Sequence, residues 1–264
     1  MTMASETALE QSARCRLASI DYRQPLLWLA AGWRDLLRAP GPGLLHGLCV
    51  TAFGLLLLAL AHRHFWLLAG AFSGFLLVGP IAATGLYAIS RALEQGRRPG
   101  MATALAAWHP EDRRLVSFGL LLAAAGTCWV LTSASLITAF APQPIRDPVD
   151  FLHVVVLNEQ SWLFEAWLML GGVLVAPVYA SSVVAIPLMM ERRIGVLAAV
   201  LTSWRAVMQN PGPLALWAGL LMAITLIGMS TLLLGLIVAV PWLSYSSWHA
   251  YRDLVQGAEL PAND

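Results

Sequence analysis

Lysine does not occur in this sequence; all 16 basic residues are arginines. Charge of either sign is scarce, at 12% of residues. Soluble domains carry about 25%. So few charges cannot cover a water-exposed surface, which excludes an ordinary soluble domain and leaves lipid as the solvent for much of the chain. Cysteine is equally sparse. Cys15, Cys49 and Cys128 form no CxxC pair and no ligand spacing, so neither a disulfide framework nor a zinc site is expected. Cys49 and Cys128 fall in apolar runs and read as small core or lipid-facing residues. The first 23 residues lack the compact basic and apolar regions of a cleaved signal peptide. They read as a polar, disordered segment, and the first apolar run is expected to be retained. There is no phosphate loop and no nucleophile with its base. The expectation is therefore a protein that is not an enzyme, with no catalytic, cofactor-binding or metal-binding residue and no cofactor.

What the sequence does have is apolar residues, 58% of the total, gathered in long runs. Six are read as membrane spans: Leu44–Ala61, Phe65–Ile89, Leu115–Ala139, Trp162–Leu188, Pro213–Gly228 and Ser230–His249. A helix needs about 20 apolar residues to cross the hydrocarbon core. The stretch 213–248 is too long for one crossing, and Gly228-Met229-Ser230 is its expected turn. The arginines orient the bundle. Fourteen of them precede the first span, lie between the second and third or the fourth and fifth, or follow the sixth; only Arg63 and Arg146 fall on the other side. The positive-inside bias then puts both termini in the cytoplasm of a cell whose inner membrane holds the chain.

One phrase occurs twice: WRDLLRAPGP at Trp33–Pro42 and WRAVMQNPGP at Trp204–Pro213, 171 residues apart. Each precedes a span. Before the second copy, Ile194, Leu197, Leu201, Trp204 and Met208 recur at helical spacing, with Thr202, Arg205 and Gln209 elsewhere on the wheel. The first copy has Leu26, Leu29, Trp33, Leu36 and Leu37, with Arg34, Asp35 and Arg38 beside them. Such helices lie in the membrane interface with tryptophan at headgroup depth, and Pro40 and Pro211 end them and redirect the chain. A weaker third copy, RRPGMATALAAW at Arg97–Trp108, resembles RRIGVLAAVLTSW at Arg192–Trp204. The phrases ending at Pro80, Pro177 and Pro241 also match. The fold class is thus all-α: a six-span bundle in three parallel repeats of interfacial helix plus transmembrane hairpin, about 24–93, 97–190 and 193–254. Residues 1–23 precede this single membrane domain, 24–254, and 255–264 form a cytoplasmic tail.

The segments GWRDLLRAP, GFLLVGP with GLYAISRALEQG, IPLMMERR, SWRAVMQNPGPLALWAGL and WHAYRDL carry a resemblance. From Trp28 to Leu254 the chain resembles a family of bacterial integral membrane proteins known only as a domain of unknown function. The resemblance implies six spans with cytoplasmic connections, and no activity. Some members bear an automatic label resembling cytochrome c oxidase subunit I. Where the family commonly has Gly-His before the last Trp-His-x-Tyr, this chain has Ser244-Tyr245.

Candidate functional residues follow from where polar groups enter apolar surroundings. Glu165 is the one acid inside an expected span, in its first turn, where it either complements the helix dipole or serves a proton or cation site. Glu191 and Arg192 end the fourth span in a cluster that either meets headgroups or a partner. Trp204 anchors the second interfacial helix. His249, Tyr251 and Arg252 close the sixth span. The histidines His46, His62, His64, His109, His153 and His249 all lie toward span ends, so a haem held between two spans is not expected. Pro80, Pro177, Pro187 and Pro241 would free backbone carbonyls, and Ser181, Ser182, Ser244, Ser246 and Ser247 are placed to bond these carbonyls or to cross to neighbouring helices. The leading expectation is a non-enzymatic membrane component that binds lipid, a partner in a membrane complex or a second copy of itself, and no nucleic acid. The alternative is a small transporter or channel using Glu165 and the proline-kinked helices. A redox, haem-associated protein is third.

Overall fold

The computed structural model describes residues 7–61, 83–107, 113–145, 148–158 and 161–262. Among the described residues, four helices are long and apolar enough to cross a membrane: Pro40–Ala59, Arg113–Phe140, Leu163–Glu191 and Pro211–Ser230. They correspond to the expected first, third, fourth and fifth spans. Most of the second expected span, with Pro80, lies outside the described residues; its end is a helix, Thr84–Glu94. The sixth is also helical, Leu236–Leu254, but its last turns are too polar to count as apolar. The described residues fall into two units: those of Met1–Thr51, Pro80–Phe118 and Tyr179–Asp264, and those of Ala52–Gly79 and Gly119–Val178.

The first unit is built on α12, Leu236–Leu254. Helix α2, Gln24–Arg38, crosses it where a Cβ on Gly32 would overlap the backbone and hydroxyl of Ser246. Helix α3, Pro40–Ala61, packs its first turns on α12 through Gly47, where a Cβ would overlap the Ile237 carbonyl oxygen. That carbonyl is the one Pro241 cannot bond, because proline has no N–H to give the fourth residue before it. A glycine there lets a Cα–H approach the orphaned oxygen. The serines expected to serve such carbonyls do something else: Ser244, Ser246 and Ser247 each donate to the carbonyl four residues back, at 2.8 Å. Helix α4, Thr84–Glu94, completes the packing, with Leu86 and Ile89 against Leu36, Ala39 and Tyr245. The short α5, Met101–Ala106, adds Ala104; Trp108, His109 and Pro110 of the weak repeat lie outside the described residues.

Helices α10, Val196–Gln209, and α11, Pro211–Ser230, repeat the design of α2 and α3. Between each pair the chain turns on one residue of nearly identical backbone, Ala39 at φ −133°, ψ 62° and Asn210 at φ −130°, ψ 51°. The following proline then starts the next helix, a position where its missing N–H costs nothing. The turn from α11 to α12 falls at Thr231–Gly235, beyond the expected Gly228-Met229-Ser230. Leu232 and Leu233 adopt left-handed φ of 53° and 66° there. Such backbone is costly for leucine. Thr231 holds it, donating to the Gly228 carbonyl and accepting from Gly235 N–H, both at 2.8 Å, while Leu233 is buried against Leu236 and Ala239.

The amphipathic face of α2 differs from the expected one. Leu29 and Leu36 turn inward with Trp28, which is 1% exposed and meets Trp217 edge-on at 5.5 Å. Trp33 faces out with Leu26 and Leu37, edge-on to Trp242 at 5.3 Å. The buried face is Pro25, Trp28, Leu29, Gly32, Asp35 and Leu36, spaced by three and four.

Among the described residues, both the stretch before residue 23 and the stretch after 255 carry regular structure. Residues Ala8–Ala13 form α1, opened by a capping box between Thr7 and Glu10. Strand β1, Cys15–Leu17, pairs antiparallel with β2, Val255–Ala258. Polar side chains that read as a solvated segment find fixed partners on α10: Ser12 and Thr202 meet at 3.1 Å, and Gln11 accepts from Gly195 N–H at 3.0 Å.

The second unit is a satellite core. Parts of α6, Arg113–Phe140, and α8, Leu163–Ser182, meet through Trp129 and Trp167, 5.5 Å apart, and Trp167 donates to the Ser133 hydroxyl at 2.7 Å. Between them α7, Pro148–Phe151, runs into a π-turn, Leu152–Val156. Its Val155 packs on Ile137, Ile145 and Leu163.

Candidate functional site

The end of α12, from Tyr245 to Leu254, is rich in polar side chains, and those of Tyr245, Ser246, Trp248 and Tyr251 are buried. The reason is local. This segment is faced by α2, by α4 and by α9, Ala185–Glu191, and each brings a carboxylate or hydroxyl to it. Buried polar groups persist only where they find partners.

Asp35 of α2, 4% exposed, accepts from the Ser90 hydroxyl of α4 at 2.8 Å, and the same oxygen meets His249 Nε2 at 2.8 Å. Asp253 accepts from Trp28 Nε1 at 2.7 Å and from Gln24 Nε2 at 2.8 Å. Glu94 accepts from Arg252 Nε at 3.1 Å and Trp248 Nε1 at 3.2 Å. Glu191 of α9 accepts from the Tyr251 hydroxyl at 2.5 Å and from an Arg252 terminal nitrogen at 3.4 Å. Burial first, and then the Glu191 carboxylate, push the Tyr251 hydroxyl well above the ordinary tyrosine range. Desolvation pulls Arg252 down, but Glu94 and Glu191 outweigh it and raise the net value. Each of the four carboxylates thus has two donors. Such an arrangement fixes the mutual orientation of α2, α4, α9 and α12. Among the described residues no three His, Cys, Asp or Glu side chains gather as a metal would require.

Of the residues singled out in the sequence, Glu191, Tyr251, Arg252 and His249 come together here. Arg192 does not join them. One terminal nitrogen donates to the Leu260 carbonyl at 3.1 Å, its own carbonyl accepts from Arg114, and it bridges to Ala262, so it ties down the C-terminal residues. Its Nε is buried without a partner among the described residues. Trp204 sits apart on α10, donating to the Ser181 hydroxyl at 2.9 Å. Glu165 lies in the other unit, exposed in the first turn of α8. Pro187 falls in the first turn of α9, after a break at Val183-Val184, so it begins a helix and does not kink one. Of the histidines, His62, His64 and His109 lie outside the described residues, and His153 is exposed in the π-turn.

Asp35, Ser90, Glu94, Trp248 and Asp253 were missed. A signal for the first existed: where the two phrases align, WRDLLRAP against WRAVMQNP, Asp35 stands opposite Ala206. An acid that one copy has and the other lacks marks a partner specific to its own copy. Ser90 and Glu94, four apart on one helix, share a face by spacing alone.

Helices long and apolar enough to cross a membrane, with most of their residues exposed, define an integral membrane protein. Residues 67–191 match the model of a family described as a predicted integral membrane protein (DUF2189), the kind of family the sequence resembles, over a narrower range than 28–254. No curated protein and no solved structure matches the chain.

Proposed function

We propose that this is a non-enzymatic component of the inner membrane, with six spans in three parallel units and both termini in the cytoplasm. Its contact surface is the pair α2 and α10, lying in the headgroup layer, where it binds lipid and assembles with a partner or a second copy. One observation carries the reading. Leu26, Trp33 and Leu37 are 56%, 40% and 64% exposed; Leu197, Trp204 and Met208, at the same offset in the second copy, are 62%, 37% and 71% exposed. Two helices, each leading straight into an apolar one, turn the same apolar stripe outward. In a membrane protein such a stripe is covered by lipid, with the indole rings at the interface.

Contacts at the helix ends support the count and the common side of the termini. Asn210, just before α11, donates to the Ala18 carbonyl at 2.9 Å, and Leu254, at the foot of α12, accepts from Ala18 N–H at 3.0 Å. If α11 crosses, the chain has to return by Leu254, which makes α12 the return crossing despite its polar last turns. The contact of Asp35 with Ser90 asks in the same way for a return after α3.

Nitroxide labels on Leu37→Cys and Met208→Cys, in a background without native cysteines and in a reconstituted bilayer, test this. Both labels should meet oxygen more readily than a water-soluble nickel complex, unlike a label at exposed Glu259. Water-like behaviour at 37 and 208 would sink the reading.

A further inference from the structure

The two copies differ along one edge. At the common offset Arg34 corresponds to Arg205, and Arg38 to Gln209. On α10 that edge is covered by the N-terminal segment. Arg205 donates to the carbonyl and the hydroxyl of Ser12, and the Gln209 amide donates to the Leu17 carbonyl at 3.5 Å and the Ser19 hydroxyl at 3.2 Å. On α2 the same edge is open. Arg34 and Arg38, both exposed and one turn apart, make no hydrogen bond or ion pair among the described residues. They stand beside the outward Trp33 and Leu37.

The occupant of this edge has to offer acceptors, as the N-terminal segment does on α10. It has to carry negative charge, since two guanidiniums here replace a guanidinium and an amide. It also has to lie at the depth of Trp33. Phosphate oxygens meet the first two conditions, and guanidinium binds them in paired hydrogen bonds. We infer that α2 is a binding site for anionic phospholipid: Arg34 and Arg38 hold the phosphate while Trp33 and Leu37 rest against the upper acyl chain. The α10 helix, its edge already filled, has no such preference. The inference rests on the interfacial placement of α2 proposed above.

The test uses the full chain in mild detergent, exchanged with equal amounts of dioleoyl-phosphatidylglycerol and dioleoyl-phosphatidylcholine, with retained lipids counted by native mass spectrometry. Phosphatidylglycerol should be retained in preference. A basic residue near an anionic surface contributes enough that losing two should cut the ratio by up to about thirtyfold. The Arg34→Gln/Arg38→Gln double variant should show that loss with an unchanged melting temperature. Arg98→Gln/Arg113→Gln, equal in lost charge and also at exposed positions, should keep most of the preference. Equal retention of both lipids by the wild type, an unaltered ratio in the first double variant, or the same loss in the second overturns the inference. If the labels at 37 and 208 report the interface while lipid preference is absent, only this inference falls; if they report water, the placement falls with it.

Discussion

Helices α2 and α10, of 15 and 14 residues, end in the same backbone turn and the same proline, and they turn the same apolar stripe outward. They differ in what holds their inner and polar sides. In α10 small residues, Ala198, Ala199, Thr202, Ser203 and Ala206, face inward, and the N-terminal segment grips the polar edge. In α2 large and charged residues, Trp28, Leu29, Asp35 and Leu36, face inward, and the polar edge stays open. The repeated phrase therefore encodes a shape. The residues that change between copies, Asp35 for Ala206 and Ala39 for Asn210, encode the neighbours.

The largest effect should come from the inner side of α2. Trp28→Ala removes a fully buried indole and the donor to Asp253, and should lower stability by about 3–5 kcal/mol. Trp33→Ala and Trp204→Ala, on the outward stripe, should each cost well under half of that in a detergent melt. Equal losses at Trp28 and Trp33 would mean that the inside and outside of α2 are wrongly distinguished. Next is Asp35→Ala, which strands Ser90 and leaves His249 without its carboxylate. Breaking a buried pair in this way costs about 3–5 kcal/mol at most. His249→Ala should be milder, because Ser90 still donates to Asp35 and the imidazole is partly exposed. Chemical denaturation of the two variants measures the difference. If Asp35→Ala is neutral, the network does not clamp these helices.

Asn210→Ala cuts the ties to Ala18 and Ile20 together, a loss of about 1–3 kcal/mol, and should speed proteolysis within the first 20 residues. The matching change in the other copy, Ala39→Asn, should gain nothing, since none of the described terminal residues lies there to be bonded. The smallest effect is confined to alkaline pH. Tyr251 is raised above its ordinary value of 10.0. Its contribution is complete below pH 10 and is lost as pH rises toward the higher folded value, because the unfolded chain ionises first. The wild type should therefore lose stability above pH 10 more steeply than Tyr251→Phe, as melting temperatures measured from pH 8 to 11 would show. Parallel curves would remove Tyr251 from the buried network.

Much of this was legible in one dimension. Apolar runs of spanning length marked four helices correctly within a few residues, since helix formation in lipid is forced by the need to pair every backbone N–H and C=O. Prolines 40 and 211 located two turns, because their effect is covalent and local. The grouping of His249, Tyr251 and Arg252 at the end of one helix was visible from their adjacency. Glu191 joined them for a reason no spacing could reveal, since the residues meet across about 60 positions of chain.

The sequence by itself determined the solvent of this protein, its helical content and the shape repeated at α2 and α10, because each depends on composition or on neighbours within a few residues. Tertiary structure alone decided which tryptophan of α2 is inside, that Asp35 has a histidine partner, and that Cys15–Leu17 pairs with Val255–Ala258 while Ser12 is held on α10. Periodicity defines two faces of a helix but does not say which one meets protein and which meets lipid when both carry apolar residues. That choice belongs to partners 189 to 243 residues away, Trp217 for Trp28, His249 for Asp35 and Ala258 for Cys15, and only the folded chain brings them within reach.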